Sequence, residues 1–202
     1  GPEIGTGGDY LTIRSIKLNA DGALGSRGAW LLDDYIDRPG HVGMATQSME
    51  YVYEVSSNGF ANGFQVNTHA IGDRANREVL DQYEAVFDEN PDTDHRWRIE
   101  HAQHIDPKDI PRFAEMGVIP SIQAIHLSSD RPWAIYRLGP KRIKEGAYVW
   151  RKLMDSGAIV INGTDVPVEP VNPIASFYAS VSRKTLNGTP DGGFEPDQKM
   201  TR

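Results

Sequence analysis

Gln65-Val66-Asn67-Thr68-His69 decides the fold, because this apolar, β-prone run stops at a histidine and is followed by a turn and a helical pattern. Two other runs end in the same way, Trp97–His101 at a histidine and Ile159–Asp165 at an aspartate, and Leu11–Lys17 ends at a lysine. Strands that alternate with helical patterns predict a parallel sheet and the α/β class. A (β/α) barrel places its chemistry at such carboxyl strand ends.

The chain divides into short strands, amphipathic helices and two irregular stretches within one domain, 1–202. Strands are predicted at 11–18, 64–69, 96–101, 118–123 and 158–163, and helices at 47–58, 73–89, 107–116, 144–156 and 172–184. The stretches 19–46 and 124–143 carry glycine and proline, which predicts functional loops over the strand ends. The segment 187–202 has no periodicity and is expected to be a flexible tail. Periodicity alone does not distinguish a free-standing five-stranded sheet from part of a larger barrel.

Composition narrows the class of protein. The 202 residues include 24% charged and 39% hydrophobic side chains, which is typical of a globular protein. The net charge of −7 argues against a nucleic-acid partner and against binding to an anionic membrane surface. The chain has no cysteine, so histidine and carboxylate are the expected metal ligands. No signal peptide is recognisable, and we expect a cytoplasmic protein.

Three of the strand ends carry side chains that suit a divalent metal. A single histidine is more often a structural hydrogen-bonding group than a ligand, but His69, His101 and Asp165 repeat one arrangement. Two imidazoles and a carboxylate suit Zn²⁺ or a similar ion. Asp165 could instead cap the following turn, or it could both bind metal and take a proton from water.

Three further residues near the strand ends have two interpretations each. Lys17 is either a solvated lysine or a buried, readily neutralised amine that could react with CO₂. His126 follows another strand end, where it could contact substrate or lie in a surface loop. Strand alternation predicts that Glu100 points away from His101 and has a structural or supporting role.

Together these segments resemble the amidohydrolase superfamily, and within it the family-3 branch of metal-dependent hydrolases that includes N-substituted formamide deformylases. The likeness covers nearly the whole chain. The residues that carry it are Lys17–Arg27, Thr68–Ala75, Arg98–Gln103 and Asn162–Glu169, with Ser129-Asp130, Arg137–Gly139 and Tyr148–Arg151 in support.

The resemblance implies a (β/α)₈ barrel of which this chain supplies the fourth to eighth strands. It implies that Lys17 is the bridging, commonly carboxylated lysine and that His69 and His101 are metal ligands. Asp165 would be both a ligand and the general base. The implied activity is hydrolysis of a small-molecule amide or formamide at its C–N bond through a metal-activated water, with zinc as the expected metal.

One family motif is absent from the sequence. The superfamily carries a His-x-His pair on its first strand, and this chain contains no such pair. We therefore expect a fragment that retains the second half of the metal site, and a catalytically inactive fragment or binding module is the alternative to an enzyme. An open barrel would expose two sheet edges and an apolar interior, which predicts self-association.

Overall fold

The protein is described here by a computed structural model, which covers residues 1–91 and 94–201. The chain begins with a short antiparallel pair, β1 (Glu3–Gly5) and β2 (Leu11–Ile13), joined by a tight turn, α1 (Thr6–Asp9). A five-stranded parallel sheet follows, in the sequential order β3 (Ser15–Asn19), β4 (Gln65–Ala70), β5 (Arg98–His101), β6 (Ile119–Ile122) and β7 (Ile161–Asn162).

Helices lie between and after these strands. They are α2 (Met49–Ala61), α3 (Asp73–Asp88), α4 (Ile110–Glu115), α5 (Ala124–Gly146), α6 (Trp150–Asp155) and α7 (Pro173–Ser182), with a final 3₁₀ turn at Pro196–Gln198. Ser48 begins α2, where its hydroxyl accepts a hydrogen bond from the Tyr51 amide at 3.2 Å. Sequential parallel strands with intervening helices are the architecture of part of a (β/α) barrel, so the predicted fold class is confirmed.

The main core lies between the sheet and the helices on its outer side. The helical spacing of Ala75, Val79, Tyr83 and Val86 predicts one buried face for α3, and all of them are buried. They pack in one cluster with Val66 and other strand residues. The apolar faces of the strands therefore point toward the helices.

The inner face of the sheet is mostly polar, contrary to the apolar interior that we expected. Register places Lys17 beside Asn67, and Asn67 beside Arg98. The next row pairs His69 with Glu100, and Glu100 with Ser121. Because paired residues project from the same face of a sheet, this face carries charge and hydrogen-bonding groups.

The prediction of a loop at 124–143 is wrong, because α5 spans this stretch. Its Gly139, at φ 78°, breaks the helix into two segments, and Pro140 begins the second. Pro132 lies inside the first segment, where proline removes a backbone hydrogen bond. The predicted helix 144–156 is accordingly divided between the end of α5 and α6.

The carboxyl-terminal segment folds back over the core. Gln198 is buried, Phe194 packs against buried residues, and the Met200 amide donates to the Ser180 carbonyl at 3.0 Å. The predicted flexibility of 187–202 concerns motion and stays a prediction. Within the described residues, none of the helices combines the length and apolar character that crossing a membrane requires.

Candidate metal centre

The carboxyl ends of the strands surround one cavity of about 480 Å³. Its lining includes all the residues that the sequence analysis assigned to a site: Lys17, His69, His101, His126 and Asp165. Both stretches predicted to cover the strand ends contribute to its wall, the first through Leu24 and Gly25 and the second through residues of α5. The structure thus brings the five predicted side chains together.

His69 lies at the end of β4 beside a buried carboxylate. Its Nε2 is 3.3 Å from Asp21 Oδ1. Asp21 accepts backbone hydrogen bonds from Trp30, Ile71 and Gly72 at 2.8, 3.0 and 2.8 Å, so its position is fixed. A carboxylate beside one nitrogen of an imidazole is a common partner of a metal-binding histidine, because it orients the ring.

His101 ends β5 in an unusual backbone conformation. Its φ is 77° and that of Ala102 is 42°, in the left-handed region that non-glycine residues seldom adopt. The Nδ1 atom lies 2.6 Å from Gln123 Oε1, and the ring centroid is 4.5 Å from that of His69. Burial lowers the pKa of His101 to about 3, and the positive charge of a protonated His69 would act in the same direction. His101 is therefore neutral at pH 7, the state in which imidazole binds metal.

The positive φ of His101 also corrects a prediction about Glu100. Alternation along an extended strand would place the two side chains on opposite faces. Because the strand leaves the extended conformation at His101, both side chains line the same cavity. Glu100 Oε1 lies 2.8 Å from Arg98 Nε, so the carboxylate is paired within the inner face.

His126 lies between two carboxylates in the first turn of α5. Its Nε2 is 3.3 Å from Asp165 Oδ2 and its Nδ1 is 3.4 Å from Glu169 Oε1. Ligand atoms of His101, His126 and Asp165 all lie within 4.8 Å of one another. The sequence left His126 open between a contact with substrate and a place in a surface loop, and the structure buries it at ligand spacing from His101 and Asp165.

Lys17 reaches the cavity from β3. Its Nζ donates to the Leu18 carbonyl at 3.1 Å and to Asn19 Oδ1 at 2.9 Å. Burial lowers the pKa of Lys17, and the carboxylates of Glu100 and Asp165 oppose that shift.

A third carboxylate, Asp130, lies in the cavity wall on α5. Asp130 Oδ2 accepts from the Tyr148 hydroxyl at 2.6 Å and from Gln103 Nε2 at 3.1 Å. Burial raises the pKa of Asp130, and the hydrogen bond from Tyr148 opposes this.

A larger cavity of about 880 Å³ lies elsewhere, between the loop 32–39 and the second segment of α5. Its charged residues are mainly paired with protein groups. Arg77 lies 2.9 Å from Asp109 and 3.4 Å from Asp106, and Arg142 donates to backbone carbonyls, including that of Asp34 at 2.7 Å. The smaller cavity is the candidate metal site, because only there do the described residues gather imidazoles and a carboxylate at ligand spacing.

The residues at the strand ends fit a divalent metal. They combine the neutral imidazole of His101, a further histidine whose ring lies beside the fixed Asp21 carboxylate, and the carboxylate of Asp165. Sequence reasoning missed Asp21, Gln123 and Asp130 as functional side chains. Asp21 and Asp130 lie in the segments that carry the family resemblance, which was the available signal.

Comparison with known proteins shows the family to which the chain belongs. The family model described as "Amidohydrolase family" matches residues 3–202. The chain is 36% identical over 175 residues to Protein LONG AFTER FAR-RED 3 of Arabidopsis thaliana, covering 87% of this chain and 30% of that protein. It is 26% identical over 162 residues to the N-substituted formamide deformylase of Arthrobacter pascens, covering 80% of this chain and 29% of that protein.

A solved structure supports the same relationship. An uncharacterized metal-dependent hydrolase from Pyrococcus horikoshii OT3 matches with a TM-score of 0.84 and 32% identity, covering 96% of this chain and 38% of that one. The chain spans about a third of the length of these relatives. The family match over nearly every residue shows that the chain belongs to the amidohydrolase family.

Proposed function

We propose that this chain carries part of the active site of a metal-dependent hydrolase that cleaves C–N bonds of amide or formamide type. The observation that carries the proposal is the approach of ligand atoms of His101, His126 and Asp165 to within 4.8 Å of one another. Family membership supports hydrolysis, and similarity to an N-substituted formamide deformylase supports this substrate class.

We propose that His69, His101 and Asp165 hold a divalent metal, zinc being the best match to these donors, with Lys17 beside them. His126 lies at ligand spacing from His101 and Asp165, so it could complete this set or contact the substrate. When bound, such a metal polarises a carbonyl group and makes water more acidic.

The carboxylate of Asp165 is placed to move the proton in this proposal. Asp165 Oδ2 accepts a proton from the attacking water and returns it to the leaving nitrogen, so that the amine departs neutral. His126 Nε2 lies 3.3 Å from the same oxygen, and Glu169 Oε1 lies 3.4 Å from His126 Nδ1.

Metal titration tests the site without requiring turnover. Calorimetric titration of the chain with Zn²⁺ or Co²⁺ should give a site that His101→Ala weakens by about tenfold or more, because a ligand is lost. His41→Ala is the matched control, since His41 lies outside the cavity lining and bonds the Arg27 carbonyl. Equal binding by wild type and His101→Ala would contradict the proposed centre.

Hydrolysis is tested separately on a panel of simple formamides and acetamides with metal added. Asp165→Asn should lower any activity by about 10²–10⁴-fold, the usual contribution of a general base. Metal binding without hydrolysis of any amide would favour the alternative of a non-enzymatic binding module. Activity that survives Asp165→Asn would contradict the assigned role of Asp165.

A further inference from the structure

One wall of the catalytic cavity combines an acid with an indole. Asp130 and Trp133 are three residues apart on α5, a spacing that places side chains on the same face of a helix, and both line the cavity. Gly25 faces the indole so closely that a Cβ there would lie 3.2 Å from Trp133 Cη2. The indole therefore occupies space that a larger residue at position 25 would take.

The carboxylate of Asp130 is held in place through one of its two oxygens. Tyr148 and Gln103 both donate to Oδ2, at 2.6 and 3.1 Å, and Gln103 also donates to the Tyr148 hydroxyl at 2.9 Å. Within residues 1–91 and 94–201, Oδ1 has no hydrogen-bond partner, and no cationic side chain forms an ion pair with Asp130. One strong acceptor is thus left for a bound molecule.

The charges around Asp130 favour a positively charged partner. The cavity lining contains the carboxylates of Asp130 and Asp165, together with Glu100, which is paired with Arg98, whereas Lys17 is the one lysine or arginine among these lining residues. Lys17 lies on the edge strand β3, and its Nζ donates to the Leu18 carbonyl and to Asn19 Oδ1. The Arg137 guanidinium carbon already lies 5.8 Å from the centroid of the Trp133 ring, so the indole offers a bound molecule an apolar contact and leaves the charge to Asp130.

We infer that Asp130 is a specificity-determining residue that binds an ammonium group of the substrate, with the apolar part of the substrate against Trp133. This inference rests on the proposed function, since it names a substrate class for the same cavity: amides that carry a protonated amine. The carboxylate takes no part in bond cleavage. Its charge selects which amide enters.

Binding of small probes tests the inference without turnover. Phenethylammonium and phenethyl alcohol have similar size and shape and differ in charge, and their binding to each variant can be followed by ligand-observed NMR through the resonances of the probes. The wild-type chain should bind the ammonium probe about tenfold or more tightly, as a charge-assisted hydrogen bond provides. Asp130→Asn should abolish the preference and leave binding of the alcohol unchanged.

Two further variants make the result decisive. Asp191→Asn removes the same charge from an exposed position outside the cavity lining and should keep the preference. Trp133→Leu leaves the carboxylate in place and should weaken both probes while the ammonium probe stays favoured. Equal binding of the two probes to wild type, or a preference that survives Asp130→Asn, would overturn the inference. So would a preference lost only in Trp133→Leu. None of these outcomes depends on metal binding or hydrolysis, so the proposed function stands or fails separately.

Discussion

At the scale of single residues, the surroundings of Asp21 require a hydrogen-bond acceptor at this position. Its buried carboxylate receives three backbone hydrogen bonds and lies beside His69. Asp21→Asn should reduce the free energy of unfolding by about 2–3 kcal/mol, because the amide group presents a donor to backbone donors and loses the charge. Urea-induced unfolding measures this change.

The same variant separates a structural from a positioning role of Asp21. If the carboxylate orients His69, Asp21→Asn should also weaken Zn²⁺ or Co²⁺ binding by about 10–100-fold under conditions where the variant is folded. Asp191→Asn should change neither quantity. Loss of stability with unchanged metal affinity would show that Asp21 acts only on the loop and the β4–α3 turn.

Gly72 is required for close backbone contact. A Cβ at this position would lie 2.0 Å from the Trp30 carbonyl oxygen, although the φ of −74° is open to any residue. Gly72→Ala should therefore cost about 3 kcal/mol, because the loop that carries Trp30 must move. Gly163→Ala is the matched control, since a Cβ there meets no atom within 4 Å. A similar, small change in thermal unfolding for both variants would contradict this packing.

The residues at the strand ends were predictable, but their partners were not. Lys17, His69, His101 and Asp165 follow apolar runs, so their sequence positions place them at one edge of a parallel sheet. Asp21 lies in a glycine-rich loop whose path depends on long-range contacts with the β4–α3 turn. A glycine would have signalled a left-handed φ, but His101 gives no such signal in the sequence. The prediction that Glu100 and His101 point to opposite faces was therefore wrong.

At the scale of elements, one buried hydroxyl pair joins α3 to the sheet. Thr68 Oγ1 and the Tyr83 hydroxyl lie 2.7 Å apart, and both side chains are buried. Tyr83→Phe should cost about 1–2 kcal/mol, because Thr68 is left without this partner. The double variant Tyr83→Phe, Thr68→Val should cost about 1 kcal/mol less than the sum of the single changes.

Chemical denaturation of the four proteins in this cycle measures the coupling. The double variant has no unpaired Thr68 hydroxyl, which is why the costs should not add. Strict additivity would show that the two hydroxyls do not depend on one another.

Helices and strands were predicted best where apolar residues recur at regular spacing in the sequence. The stripe along α3 is regular, and its predicted range 73–89 agrees with Asp73–Asp88. The first segment of α5 buries Ile125 and Leu127 against the body of the protein, and this tertiary contact outweighs the helix-breaking tendency of Pro132. A sequence pattern read locally could not include that contribution.

At the scale of the whole molecule, we still expect self-association, although its surface must differ from the one first considered. The inner face is mostly polar, whereas exposed apolar side chains lie on and before α7: Val166, Val168, Val171, Ile174 and Phe177. Exposed apolar clusters favour association. The outer strands β3 and β7 also each have a single neighbour among the described strands.

Light scattering coupled to size exclusion tests this expectation over a range of protein concentrations. The wild type should show a mass that rises with concentration, and Ile174→Lys with Phe177→Lys should shift it toward the monomer of 22.4 kDa. Lys141→Glu, on the exposed side of α5, is a control that changes charge without removing apolar surface. A wild-type protein that stays monomeric at all concentrations would contradict the prediction of self-association.

The one-sided core has a consequence for the route of folding. The strands pair in sequential order, and their apolar faces meet the helices that connect them. Within the main core, a βα unit can therefore bury apolar surface against the preceding unit without waiting for side chains from across the barrel. The second buried cluster, in which Leu24 is grouped with Ile122 and Ala179, needs contacts between distant parts of the chain. During synthesis, we expect the backbone amides of the units from β3 onward to become protected from hydrogen exchange one unit after another, as the folded part grows. The polar inner face would stay hydrated until the last strand is in place.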